Sequence, residues 1–86
     1  MEGIVKYIDA DTEKTLTIFR TKTPLELLKT YNYMKDAEID CAFNNVIIEG
    51  GEEYKEKYNM GFRIKDIEVN MPTKTDAFVI KVYIEE

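Results

Sequence analysis

The chain has 86 residues, of which 44% are hydrophobic and 34% charged, and its net charge is −5. This size and composition predict one compact domain over residues 1–86, built around a single modest core. Cys41 is the only cysteine, which excludes an intrachain disulfide, and we expect a cytoplasmic protein. Apolar runs are far shorter than the ~20 residues of a membrane-spanning helix, so a membrane is not an expected partner. The negative charge disfavours binding to nucleic acid, which is not an expected partner either.

The first predicted elements are two strands of a β-hairpin. Residues 4–8 and 16–19 are rich in β-branched and aromatic side chains, and the polar residues 9–14 between them favour a turn. The alternation in the second strand indicates that Leu16 and Ile18 face inward.

The turn of this hairpin has acidic residues at alternate positions, Asp9, Asp11 and Glu13, as the start of an EF-hand calcium loop does. Such a loop also needs a glycine at its sixth position and a glutamate at its twelfth. This chain has Lys14 and Arg20 there, so we expect a solvated turn and no metal site.

A well-formed helix is predicted next. Thr23 stands at the N-cap position, Pro24 at the first helical position and Glu26 three residues after the cap, which is the pattern of a capping box. The helix is expected to end near Lys35. Its predicted apolar stripe consists of Leu25, Leu28, Tyr31 and Met34.

The second half of the chain predicts three strands and a short helix. Residues 46–49 favour a short buried strand. Residues 52–58 begin with two acids and have Lys55 and Lys57 later, which favours a short helix, although residues 54–58 also alternate as a strand would. Residues 62–69 alternate in two phases, which indicates a β-bulge near 65–66, and residues 78–84 alternate most regularly of all. The order β-β-α-β-α-β-β predicts an α+β fold, with a mostly antiparallel sheet of four to five strands and both helices on one face.

Several kinds of catalytic site are excluded by composition. The chain has no histidine and no serine, which removes the usual general base and the common nucleophile–base pairs. Cys41 has no cationic neighbour that would lower its pKa, so an ordinary half-buried thiol is expected. Gly50 and Gly51 precede two glutamates that would repel a phosphate. We therefore expect no enzyme, no catalytic residues and no cofactor.

The negative charge is concentrated between residues 36 and 56, where seven acids stand against Lys55 alone. The remainder of the chain is close to neutral. Tyr54 and Tyr58 would share a helical face beside these acids, as anchors of a binding surface or, alternatively, as part of the core beneath a solvated face. The candidate partner-binding residues are Asp36, Glu38, Asp40, Glu49, Glu52, Glu53, Tyr54, Glu56 and Tyr58.

These observations favour a non-enzymatic, acidic protein-binding module that docks on a basic surface of another protein. A nucleic-acid-binding enzyme carries such a surface, and the module would inhibit it by occupying that surface. The analogy, at the level of class alone, is with phage and mobile-element inhibitors of host defence, including anti-CRISPR proteins. Two alternatives stay open: a structural or assembly subunit that forms homo-oligomers through sheet edges such as residues 78–84, and a small-molecule-binding or enzymatic domain that uses tyrosines and Arg63.

Overall fold

The computed structural model describes residues 2–41, 51–75 and 77–86. The elements, in chain order, are β1 (Gly3–Asp9), β2 (Thr15–Thr21), α1 (Pro24–Asp36), α2 (Glu52–Lys57), β3 (Arg63–Asn70) and β4 (Phe78–Glu85). The predicted strand at 46–49 lies outside the described residues. The α+β class and the order of the described elements are confirmed.

The described strands form one sheet in the order β2-β1-β4-β3. β1 pairs with β2, and β3 with β4, in antiparallel fashion, whereas the two central strands β1 and β4 run parallel. The sheet is therefore mixed but mostly antiparallel. β4 is paired on both sides, which corrects the expectation that residues 78–84 form an edge strand. Among the described strands, the sheet edges are β2 and β3.

The core lies between the sheet and the helices. β4 turns its side chains at alternate positions to this core, where they are fully buried: Phe78, Ile80, Val82 and Ile84. β1 contributes Val5 and Tyr7 from the positions in register with Ile80 and Val82. The hydroxyls of Tyr7 and Tyr31 are hydrogen bonded at 2.8 Å, which attaches α1 to the sheet.

The inward face of β2 differs from the prediction. Leu16 is fully buried, but Ile18 is 55% exposed. The pairing of β1 with β2 shifts register between Tyr7 and Ile8, and this irregularity breaks the simple alternation along β2. Ile18 pairs with Lys6 and so lies on the face away from the helices.

The first helix begins at Pro24 with Thr23 as its N-cap, as predicted, but the hydrogen bonds at this N-terminus differ from the predicted ones. The side chain of Thr23 makes no capping hydrogen bond to the described start of the helix, so the predicted capping box is not formed. The backbone N–H of Thr23 instead donates to Thr21 Oγ1 at 3.0 Å. The helix ends at Asp36, one residue beyond the predicted end.

The apolar stripe of α1 is also shifted. Leu25 is 49% exposed because it lies about 120° around the helix from the buried Tyr31. The residues that pack on the core are Leu27, Leu28, Tyr31 and Met34.

The bulge predicted in β3 is confirmed, since the pairing with β4 shifts between Ile64 and Asp66. Within the described residues, neither helix has the length and apolarity needed to cross a membrane.

Candidate functional site

The short helix α2 turns its two tyrosines into the core. Tyr58 is fully buried and Tyr54 is 7% exposed, and both belong to the core cluster of the sheet. Their spacing of four residues places them on one helical face, as predicted, but that face is the inner one. The two tyrosine rings are therefore part of the core, which was the alternative prediction, and they are not exposed anchors of a binding surface. The surface of α2 presents its carboxylates.

Beneath α2 lies a fully buried carboxylate, Asp9, at the end of β1. Its Oδ1 accepts hydrogen bonds from Lys57 Nζ at 2.8 Å and from the hydroxyl of Tyr58. Its Oδ2 accepts from the backbone N–H of Thr12 at 2.9 Å and from Thr12 Oγ1 at 2.8 Å. Both oxygens of the carboxylate are thus paired.

Further hydrogen bonds connect this carboxylate to its surroundings. Thr12 Oγ1 lies 2.9 Å from the hydroxyl of Tyr54, and Lys57 also pairs with Asp11 at 2.9 Å. The hydroxyl of Tyr58 lies 3.2 Å from the carbonyl oxygen of Ile84. We call Asp9, Thr12, Tyr54, Lys57 and Tyr58 the Asp9 network. It attaches α2 to the β1–β2 turn.

The expectation of a solvated turn is correct for Asp11 and Glu13, which are exposed, but not for Asp9. A signal for its burial was present in the sequence. Asp9 follows Val5 and Tyr7 at a spacing of two, so it continues the buried face of β1. A carboxylate on that face is tolerated only when it is paired and hydrogen bonded.

The electrostatics of the Asp9 network fix its charges near neutral pH. Burial raises the pKa of Asp9, but the hydrogen bonds from Lys57, Tyr58 and Thr12 together outweigh it, so the net pKa lies well below its usual range. Hydrogen bonds to Asp9 and Asp11 raise the pKa of Lys57. Burial, followed by the hydrogen bond to Asp9, raises the pKa of Tyr58. Asp9 and Lys57 are therefore both charged near neutral pH, and they form an ion pair that connects α2 to the end of β1.

An open groove of about 740 Å³ runs beside α2. We call it the acidic groove, because four carboxylates line it. Its lining residues are Asp40, Glu53, Glu56, Lys57, Asn59, Met60, Gly61, Phe62, Arg63 and Glu86.

The two cations of the acidic groove are already paired. Lys57 is held by the Asp9 network, and Arg63 forms ion pairs with Glu38 at 3.6 Å and Asp40 at 3.2 Å. Glu53 and Glu56, by contrast, are exposed and make no ion pair within the described parts of the chain. The groove consequently keeps an excess of negative charge.

The structure brings together part of the predicted surface. Of the candidate residues, Asp40, Glu53 and Glu56 line the groove, and Glu38 is connected to it through Arg63. Asp36 lies exposed at the end of α1. Glu52 is exposed and pairs weakly with Lys55 at 3.7 Å, and Glu49 lies outside the described residues. Glu86 was missed, because only the fold brings the end of β4 to this groove.

Cys41 pairs with Phe62, one of the residues that line the acidic groove. It forms an isolated antiparallel bridge with Phe62, in which Cys41 N–H donates to the carbonyl oxygen of Phe62 at 2.7 Å. Gly61, beside this bridge, has a φ of 120°, and a Cβ there would lie 2.6 Å from the carbonyl oxygen of Cys41. The close approach of the two segments therefore requires glycine.

The thiol of Cys41 is half-buried, as predicted, and lies 3.4 Å from Met34 Sδ. Burial, with a smaller contribution from the charge of Asp40, raises its pKa. A raised pKa leaves less of the reactive thiolate at neutral pH, which is typical of a structural cysteine.

Comparisons with protein-family models, with curated protein sequences and with solved structures found no match to this chain. Within residues 2–41, 51–75 and 77–86, no three Cys, Asp or Glu side chains converge in a way that could hold a metal ion. The candidate site is thus an exposed acidic groove whose helix is fixed from below by a buried ion pair.

Proposed function

We propose that this chain is a protein-binding domain whose acidic groove docks on a basic surface of another protein. The observation that carries the proposal is the pair Glu53 and Glu56, exposed on α2 and without an ion pair in the described ranges. Unpaired carboxylates at a surface attract a cationic partner and increase its association rate. The partner class that fits is a nucleic-acid-binding enzyme, whose cations are placed to contact phosphates. Occupying those cations would inhibit it, as phage and mobile-element anti-defence proteins of the anti-CRISPR kind do.

Two further features support a role in binding. Met60 is 93% exposed and lines the groove beside the carboxylates, so it offers apolar contact area that adapts to a partner's shape. The Asp9 network holds the helix that carries Glu53 and Glu56, which limits the ordering cost when a partner binds.

Affinity capture tests this proposal. The tagged protein, an E53Q/E56Q variant and an E2Q/E13Q control are each incubated with a lysate of the source cells at low and at high salt. The control removes two exposed carboxylates outside the groove. We expect a basic protein to be recovered at low salt by the wild type and the control, and to be lost at high salt or with E53Q/E56Q. Capture that is unaffected by both salt and E53Q/E56Q would contradict the proposal.

A second candidate function is self-association through the edge strand β2. Ile18 and Phe19 are exposed on the two faces of this strand, and β2 contains no proline that would block pairing. The other edge, β3, is interrupted by the irregularity at Lys65. Light scattering separates the two candidates: a stable oligomer without any partner, dissociated by Ile18→Lys, favours assembly, and a monomer at all concentrations contradicts it.

A further inference from the structure

The face of the sheet turned away from the helices, which we call the open face, carries an unusual arrangement of charges. On β1 and β4 its residues lie directly opposite one another in parallel register, and on β2 Ile18 and Arg20 continue the same rows. In the described parts of the chain, both helices pack on the other face. The central residues of the open face are Ile4, Lys6, Ile8, Val79, Lys81 and Tyr83.

Lys6 and Lys81 are cross-strand neighbours at the centre of this face. Both are partly buried, and neither makes an ion pair with any residue in the described ranges. Glu68 is the neighbour of Lys81 on β3, but its carboxylate accepts a hydrogen bond from the hydroxyl of Tyr83 at 3.0 Å instead. Like charges directly opposite each other destabilise a sheet, so the arrangement costs stability in the free protein.

The surroundings of the two lysines are mostly aliphatic. Ile4 and Val79 lie on one side of the pair, and the buried Ile8 lies on the other beside Tyr83. Ile18 is adjacent to Lys6 on the edge strand. The open face thus combines unpaired positive charge with apolar side chains.

We propose that the open face is a docking surface for an acidic amphipathic segment of another protein. Carboxylates of such a segment would neutralise Lys6, Lys81 and Arg20, and its apolar side chains would cover Ile18 and its neighbours. This inference is independent of the proposed function, because it uses residues of the opposite charge on the opposite face of the sheet.

The chemistry of the face favours an acidic polypeptide over a nucleic acid. Single-stranded nucleic acids bind on aromatic stacking platforms, and here the lysines are surrounded by aliphatic side chains with Tyr83 tied to Glu68.

A peptide-binding titration tests the inference. The probe is a short fluorescent peptide in which Glu and Leu repeat with helical spacing, compared with a Lys/Leu peptide and an oligouridylate of similar length. We expect the Glu/Leu peptide to bind best, and K6Q/K81Q to weaken it by about tenfold through the loss of two charge contacts. The control K29Q/K55Q, which removes two exposed charges from the helices, should bind like the wild type.

A stability measurement distinguishes loss of binding from loss of the fold. Lys6→Glu converts the facing lysines into an opposite-charge pair, so it should raise the melting temperature of the protein and weaken its binding of the Glu/Leu peptide. Absence of peptide binding, equal binding by K6Q/K81Q and wild type, or tighter binding of the oligouridylate than of the peptide would each overturn the inference.

Discussion

Replacing Asp9 with asparagine tests the structural core of the candidate site. The amide has the shape of the carboxylate but lacks its charge, so Lys57 loses its ion pair with Asp9 and keeps, among the described residues, only the exposed Asp11. Tyr58 and the Thr12 hydroxyl then face a weaker acceptor in place of a charged one. We expect D9N to fold but to be much less stable than the wild type.

The size of the effect follows from the burial of the pair. Removing one partner of a buried ion pair costs about 3–5 kcal/mol, because the other charge is left uncompensated. Lys57 is 19% exposed and retains Asp11, so the lower end, about 3 kcal/mol, is expected. A chain of this size has a total stability of about 4–13 kcal/mol. Asp11→Asn, which removes an exposed partner of the same lysine, should cost less than about 1 kcal/mol.

The assay is urea unfolding followed by circular dichroism, at neutral pH and again at acidic pH. The folded state lowers the pKa of Asp9, so its contribution is fully present above the ordinary value of 3.8 and is lost progressively as the pH falls from there to the much lower pKa of the folded state. The wild type should therefore lose more stability than D9N below about pH 4, and the two should converge. A D9N variant as stable as D11N, or a difference from wild type that stays constant into acid, would refute the reasoning.

Two further substitutions probe the backbone and the open face. Gly61→Ala should cost about 3 kcal/mol in urea unfolding, since it combines a positive φ with a Cβ 2.6 Å from the carbonyl oxygen of Cys41. Gly51→Ala, at a φ of 91° with no described atom within 4 Å of the added Cβ, should cost about 1–2 kcal/mol, and equal losses would show that the contact with Cys41 is unimportant. Lys6→Glu should increase the free energy of unfolding by about 0.5–1 kcal/mol through pairing with Lys81, and a decrease would contradict the like-charge argument.

Elements with one uninterrupted pattern were predictable from sequence. β4 alternates from Phe78 to Ile84 without exception, and the proline at the start of α1 fixes where that helix begins. Predictions failed where a non-local contact changed a local pattern. Ile18 follows the alternation that begins at Leu16, yet the register shift opposite Tyr7 places it on the other face. Periodicity alone does not reveal such an irregularity.

The candidate site was predictable only in part, for a related reason. The carboxylates Glu53 and Glu56 lie close together in sequence, so a count of charges found them. The helical spacing predicts that Tyr54 and Tyr58 share one face of α2. It does not predict that this face turns inward, because that depends on the groups to which the two hydroxyls are hydrogen bonded. They include groups in the turn at Asp9, far away in the chain.

The two proposed binding surfaces are stabilised by different contacts, so local unfolding would affect them differently. The groove carboxylates Glu53 and Glu56 sit on a six-residue helix, too short to be stable without tertiary contacts, and the Asp9 network supplies them. Lys6 and Lys81 lie on the two central strands, whose backbones are paired on both sides. Local unfolding that releases α2 would therefore weaken binding at the groove first and leave the open face intact.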